Sequence, residues 1–249
     1  MYKPLLCLLL TMHVIGDFYF RDENPMKKKR NAYISLLLHG CCYLMISVIC
    51  VLPFYSVSLL VTAAALAGSH FIVDNVKYVY CAKKKKKIRN SSLYLIDQII
   101  HLAFIVVAVL ILVCMGYKLK AIPIIEKYLP IVADSVGELL KWAVLILLAH
   151  KPANISIRLL TEKYKPEDSG EGKSVTSDNA GAFIGTLERL IILVMISIGQ
   201  YAAIGLVLTA KSIARYNKIS EDKQFAEYYL LGTLLSTLYA IVVFQILNL

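Results

Sequence analysis

Three pairs of ionisable residues recur at one spacing in this chain: His13 and Asp17 in HVIGD, His70 and Asp74 in HFIVD, and Asp97 and His101 in DQIIH. Each pair is separated by four positions, which places both side chains on one face of a helix. A single histidine, His39, stands between the first two pairs. Imidazole suits zinc, iron and manganese, and carboxylate suits the harder end of that series, so these seven side chains form the ligand set of a divalent transition metal. Zinc is the first expectation, with manganese or iron as alternatives. Seven candidates exceed one tetrahedral ion. Either two ions share the site, or one ion takes about four ligands and the rest orient them and act as general base. A proton or cation relay built from the same groups and a purely structural polar network are the competing readings. Cys42, three residues after His39, reads as a packing thiol ahead of a ligand.

The elements that must carry these residues are membrane helices. Of 249 residues, 58% are hydrophobic and 18% charged, and the mean hydropathy is +0.65, a composition too apolar for a soluble domain. The expected fold is all-α, a polytopic transmembrane helix bundle of about seven spans: 5–20, 32–52, 57–80, 93–115, 139–160, 190–210 and 228–249. The first is expected to remain as a helix, because it holds His13 and Asp17 and leads into Arg21 and Asp22, unlike a cleavable signal peptide. Twelve of the 27 basic residues lie in two short connections, Arg21 with Lys27 to Arg30, and Lys77 with Lys83 to Lys87 and Arg89. The positive-inside rule puts both loops in the cytosol. The first and third spans then descend and the fourth ascends, so HxxxD inverts to DxxxH. In each the Asp lies nearer the cytosol, roughly 6–9 Å inside, and the His one turn deeper, roughly 10–15 Å inside. His39 falls in the same band.

The chain divides by pattern into a four-helix metal-site half at 1–116, an interfacial segment at 117–133, a fifth span at 134–160, a flexible cytosolic loop at 161–180 and C-terminal helices at 181–249. Among the later helices, Gly181 with Gly185 and Gly232 with Ser236 are spaced for close packing. Glu188 and Arg189 are adjacent and so face different directions, and each reads as one half of a separate membrane-end salt bridge. Lys211 and Arg215 present two positive charges on one face and, with Lys77, are weak candidates for holding a substrate phosphate; anchoring for the first two and a salt bridge for Lys77 are the plainer readings. His150, beside Lys151 and Pro152, marks either a broken helix or an interfacial end. Four basic residues from Lys211 to Lys223 would fall outside if 190–210 is one straight span, against the positive-inside rule. A break at Gly199 and Gln200 would return them to the cytosol, but the length of 190–210 favours one span. The six cysteines form no CxxC pair and read as reduced core residues. Nucleic acid is not an expected partner, since the basic runs lack aromatic interleaving.

The segments HVIGDF, LLHGCCY, HFIVDNVK and DQIIH, followed by GTLERL, GQYAAIG, AKSIARY and EYYLLGTLLS, resemble an uncharacterised bacterial multi-pass membrane family, domain of unknown function 3307. Arg21 stands where that family's glutamine is expected after GDF. The resemblance implies the architecture and the motif set rather than a reaction. A looser similarity of the HxxxD and DxxxH type points toward membrane-bound metal-dependent hydrolases.

The expected function is therefore an integral hydrolase of the bacterial inner membrane, acting on a lipid-linked or amphiphilic phosphate ester with metal-activated water near the cytosolic face. Asp17 or Asp97 would take the proton. The expected partners are the bilayer itself and anionic lipid or a lipid-linked substrate. A metal-ion or proton transporter or channel using the same cluster is the alternative, followed by a membrane effector or assembly subunit with a structural site.

Overall fold

A computed structural model of the chain describes residues 2–20, 32–54, 56–84, 91–129, 131, 135–166 and 175–248. Arg21, Lys27 to Arg30, Lys85 to Lys87 and Arg89 of the basic loops lie outside the described residues, as does 167–174 of the polar loop. The described residues are helical throughout, with no strand among them. Among the described residues six helices are long and apolar enough to cross a membrane, so the chain is a multi-pass membrane bundle. It divides into two compact units, Met1–Leu147 and Leu148–Leu249.

The first unit is built around its first helix. Helix α1 (Tyr2–Val14) continues into a single π turn, Ile15–Tyr19. Around it stand α2 (Ala32–Val51), α3 (Val57–Lys84) and α4 (Ser91–Cys114). Leu5, Leu8, Leu9 and Met12 of α1 are fully enclosed, packed in one cluster with Tyr43 and Val51, Leu59, Ala63 and Ala67, and Ile105, Val109 and Leu112. By contrast, only 28% to 33% of the most apolar windows of α2, α3 and α4 is buried. Their outer faces, with Leu38, Ile49, Val61 and Leu110 exposed, are the ones left for lipid. Two glycines permit the close approaches. A Cβ on Gly16 would stand 2.5 Å from the Tyr43 ring, and one on Gly40 would stand 2.7 Å from Phe71. Each glycine adjoins a site residue, so the backbone contact and the site are set together. Beyond α4, the short α5 (Pro123–Tyr128) buries no residue, as befits an interfacial segment. It is tied to the turn between α2 and α3 by Ile122 N donating to the Pro53 carbonyl at 2.9 Å.

Helix α6 (Val136–Ala149) is followed at once by α7 (Lys151–Thr161), the ladder being interrupted at His150 with Pro152 at the start of α7. The second unit comprises α7, α8 (Val175–Ser197), α9 (Tyr201–Ile213), the short α10 (Tyr216–Glu221) and α11 (Lys223–Asn248). Here the expectation of one straight span over 190–210 fails. Gly199 has a φ of +73°, helix α9 starts afresh after Gln200, and Lys211 Nζ meets Glu188 Oε2 at 2.6 Å. Ile192 and Ile196 pack with Ile204. These contacts require α9 to fold back along α8. The helix turns because glycine adopts the left-handed conformation that ends α8. The polar segment is also shorter than 161–180, since helix resumes at Val175.

The small-residue pairs do not make the close helix contacts that their spacing suggests. Positions 181 and 232 face open space, and a Cβ on Gly185 would meet the Arg189 guanidinium rather than a neighbouring backbone. Arg189 is no membrane-end ion pair either. It is 2% exposed, and its donors go to neutral acceptors: Nε to the Ala149 carbonyl at 2.7 Å, one terminal nitrogen to Ser236 Oγ at 2.9 Å, the other to Asn154 Oδ1 and Thr186 Oγ1. Interrupting the helix at His150 releases the carbonyls of Leu148 and Ala149, and Tyr239 and Arg189 satisfy them.

Candidate functional site

All seven candidate ligands meet in the first unit, each at most 8% exposed. His13 and Asp17 come from α1 and its π turn, His39 from α2, His70 and Asp74 from α3, and Asp97 and His101 from α4. The four-residue spacing does its expected work in α3 and α4, where His70 Nδ1 lies 3.6 Å from Asp74 Oδ2 and His101 Nε2 lies 3.6 Å from Asp97 Oδ1. In the first helix the π turn changes the outcome. It directs Asp17 Oδ1 to within 3.6 Å of both His39 Nε2 and His70 Nε2. A π turn inside an α-helix re-aims the side chains it carries, and such turns concentrate at functional sites.

His39 Nε2 also lies 3.6 Å from Asp74 Oδ2. Asp17, His39, His70 and Asp74 thus each offer one donor atom to a common point, all within 4.8 Å of one another, and Asp74, Asp97 and His101 form a second group sharing Asp74. Two donors each about 2.1 Å from a tetrahedral ion stand about 3.4 Å apart. Separations of 3.6 Å are close to that edge and too long for hydrogen bonds. Both nitrogens of His39, both of His70 and Nε2 of His101 are buried without a hydrogen-bond partner. Buried polar atoms are rarely left so.

His13 stands apart from the two groups. Its Nδ1 lies 3.2 Å from the Tyr43 hydroxyl and its Nε2 lies 3.3 Å from Gln98 Oε1. Gln98 Nε2 in turn donates to Asp17 Oδ2 at 2.8 Å, so Gln98 bridges the first pair. Tyr43 also stacks on His70 at 4.0 Å, and His70 stacks on His101 at 4.2 Å. Neither Tyr43 nor Gln98 was singled out by reasoning on ionisable residues. Both lie in the motifs already quoted, Tyr43 four residues after His39 and Gln98 directly after Asp97.

Of the weak substrate candidates, Lys77 is bound to Asp97 Oδ2 at 2.5 Å. With the imidazoles neutral, three carboxylates against this one ammonium leave the cluster with two excess negative charges. One divalent cation would balance them. The other two candidates, Lys211 and Arg215, belong to the second unit, where Lys211 pairs with Glu188 and both cations lie over the Tyr229 ring. Cys42 is half-buried and free, and belongs to neither donor group; the exposed His150 lies in the second unit.

Residues 5–127 match the profile of a family described as "Protein of unknown function (DUF3307)". The N-terminal part of the chain is similar to the DUF3307 family. The matched region begins within α1, takes in α2 to α4 and every residue of the His/Asp cluster, and ends in α5. The later segments GTLERL, GQYAAIG, AKSIARY and EYYLLGTLLS lie beyond it, so the match covers less of the chain than the resemblance suggested. Neither curated proteins nor solved structures gave a match, and the looser similarity to membrane-bound hydrolases is unsupported.

Proposed function

We propose that this chain is a metal-dependent hydrolase of the bacterial inner membrane, acting on a lipid-linked or amphiphilic phosphate ester near the cytosolic face. The observation that carries the metal is the set of buried imidazole nitrogens on His39, His70 and His101 that lack hydrogen-bond partners while facing carboxylates at 3.6 Å. Zinc fits the mixed imidazole and carboxylate donors and the near-tetrahedral separations, with manganese or iron as alternatives. The charge balance favours one ion, held by Asp17, His39, His70 and Asp74. When bound, a divalent ion supplies Lewis acidity, lowering the pKa of water toward neutrality.

The chain's own residues have separable tasks in this reading. Gln98 holds Asp17 through its Nε2, and Tyr43 and Gln98 hold His13, whose role is to orient rather than to ligate. Asp97, outside the four-residue group, is the base that takes a proton from the attacking water, with Lys77 and His101 fixing its carboxylate. Burial of the whole cluster excludes bulk water. The amphiphilic substrate class rests on the depth below the cytosolic surface that the basic loops and the helical rise imply for the site.

The test is elemental analysis of the detergent-purified chain, followed by phosphate release from phosphatidic acid in mixed micelles. The expected result is one tightly held divalent ion per chain and phosphate release that disappears in Asp97→Asn with the ion retained. An ion that exchanges rapidly and crosses the membrane of sealed vesicles would replace the hydrolase with a transporter. A chain without metal would end both readings.

A further inference from the structure

Gln98 touches two members of the His/Asp cluster, and the chemistry of one contact fixes the other. Its Nε2 donates to Asp17 Oδ2 at 2.8 Å, and its Oε1 stands 3.3 Å from His13 Nε2. A carboxylate only accepts, so the amide nitrogen faces Asp17 and the amide oxygen is left for His13. His13 then carries its hydrogen on Nε2. As a neutral ring it leaves Nδ1 to accept from the Tyr43 hydroxyl at 3.2 Å. The hydrogen bonds therefore run head to tail from Tyr43 through His13 and Gln98 to Asp17, and each bond in such a chain strengthens the next. Both ring nitrogens of His13 are committed to it, which is the chemical reason that this histidine orients rather than ligates.

The chain of bonds ends on a single oxygen of Asp17. Oδ2 is held by Gln98, while Oδ1 faces His39 Nε2 and His70 Nε2 at 3.6 Å. Asp17 thus turns one oxygen toward the donors of His39, His70 and Asp74, with which it forms a group of one atom from each residue. A carboxylate with both oxygens released can chelate an ion, which raises the coordination number and adds a hard oxygen donor. Manganese takes six ligands rich in oxygen, whereas zinc is content with few and accepts imidazole readily. We propose that Gln98 selects the metal: by holding Asp17 Oδ2 it confines that ligand to one oxygen and so favours zinc over manganese. This inference rests on the metal reading above, and Gln98 is in it a positioning residue that acts through Asp17.

The full-length chain, purified in dodecyl maltoside and stripped of metal, is titrated separately with zinc and with manganese against a chromophoric chelator, which gives a dissociation constant for each ion. The wild-type chain is expected to bind zinc more tightly. Gln98→Met keeps the length of the side chain and removes the donor, and Gln98→Glu puts a carboxylate in its place. Each is expected to narrow the preference for zinc about tenfold, and the electron paramagnetic resonance of bound manganese is expected to change with it. Tyr43→Phe keeps the ring on His70 and leaves Gln98 on Asp17, so the preference is expected to stand. Equal weakening of both ions in the two Gln98 variants would show a merely structural role and overturn the inference, as would a wild-type chain that binds manganese as tightly as zinc; the metal reading would survive either result. A wild-type chain that binds neither ion would end both.

Discussion

Glu188 and Lys211 stand equally far on either side of the break at Gly199 and Gln200, and their side chains meet at 2.6 Å. A straight helix would hold residues so separated roughly 35 Å apart at 1.5 Å per residue. Their salt bridge therefore fixes a hairpin that returns Lys211 to the end of α8 carrying Glu188. The positive-inside rule would put that end, with Arg215, Lys218 and Lys223, in the cytosol. A single cysteine at Asn217, in a cysteine-free background, is expected to be protected from a membrane-impermeant maleimide on intact cells while a matched external control reacts. Labelling of Asn217→Cys on intact cells would restore the straight span.

Metal binding by the four-residue group predicts a hierarchy among single variants. His39→Ala and Asp74→Ala are expected to lose the ion from purified protein, whereas Cys42→Ser and His150→Ala keep it in full. Chelation should also lower thermal stability, because an ion present at about a thousandfold its dissociation constant contributes about 4 kcal/mol to the folded state. A melting temperature indifferent to both chelator and added zinc would count against any bound ion.

The pair formed by Lys77 and Asp97 is buried, so its halves are not separately dispensable. Lys77→Met strands a carboxylate and is expected to cost about 3–5 kcal/mol. The double variant Lys77→Met with Asp97→Asn should recover most of that loss. Unfolding by titrated dodecyl sulfate measures both, and a double variant no more stable than the single would show that the pair is not the origin of the effect.

Gly16→Ala is expected to destabilise the first unit by about 1–3 kcal/mol, because the new methyl group would stand against the Tyr43 ring. Displacing that ring also disturbs its stack on His70 and its contact with His13. Gly181→Ala, which faces open space, is the control. Equal melting temperatures for the two variants would remove close helix approach as the reason for the glycine.

The sequence made the His/Asp cluster legible because ionisable residues inside apolar runs are few and a spacing of four repeats. The orientation argument, with HxxxD inverting to DxxxH, needed only the two basic loops. Tyr43 and Gln98 escaped because neutral polar side chains in a helix carry no charge signal and reveal themselves only when a partner is seen. The π turn at Asp17 was invisible for a different reason: a spacing of four reads as one face whether the turn is α or π. The hairpin was hidden by length, since 190–210 has the size and apolarity of an ordinary span and a lone glycine is weak punctuation. Arg189 was misread because its partners are neutral groups and a carbonyl released by the interruption at His150, none of which can be matched to it by charge.

Helix α1 has a consequence for how the molecule is made. It precedes α2, α3 and α4 in the chain, yet it is the element those helices enclose, and it is absent from the helices apolar and long enough to cross a membrane alone. It leaves the ribosome before the surfaces that bury His13 and Asp17 exist. Its enclosure is therefore completed only once α4 has been made, so α1 waits for partners that are encoded after it. A truncation ending before Ser91 should leave α1 accessible from the aqueous phase, and extension past Cys114 should lodge it.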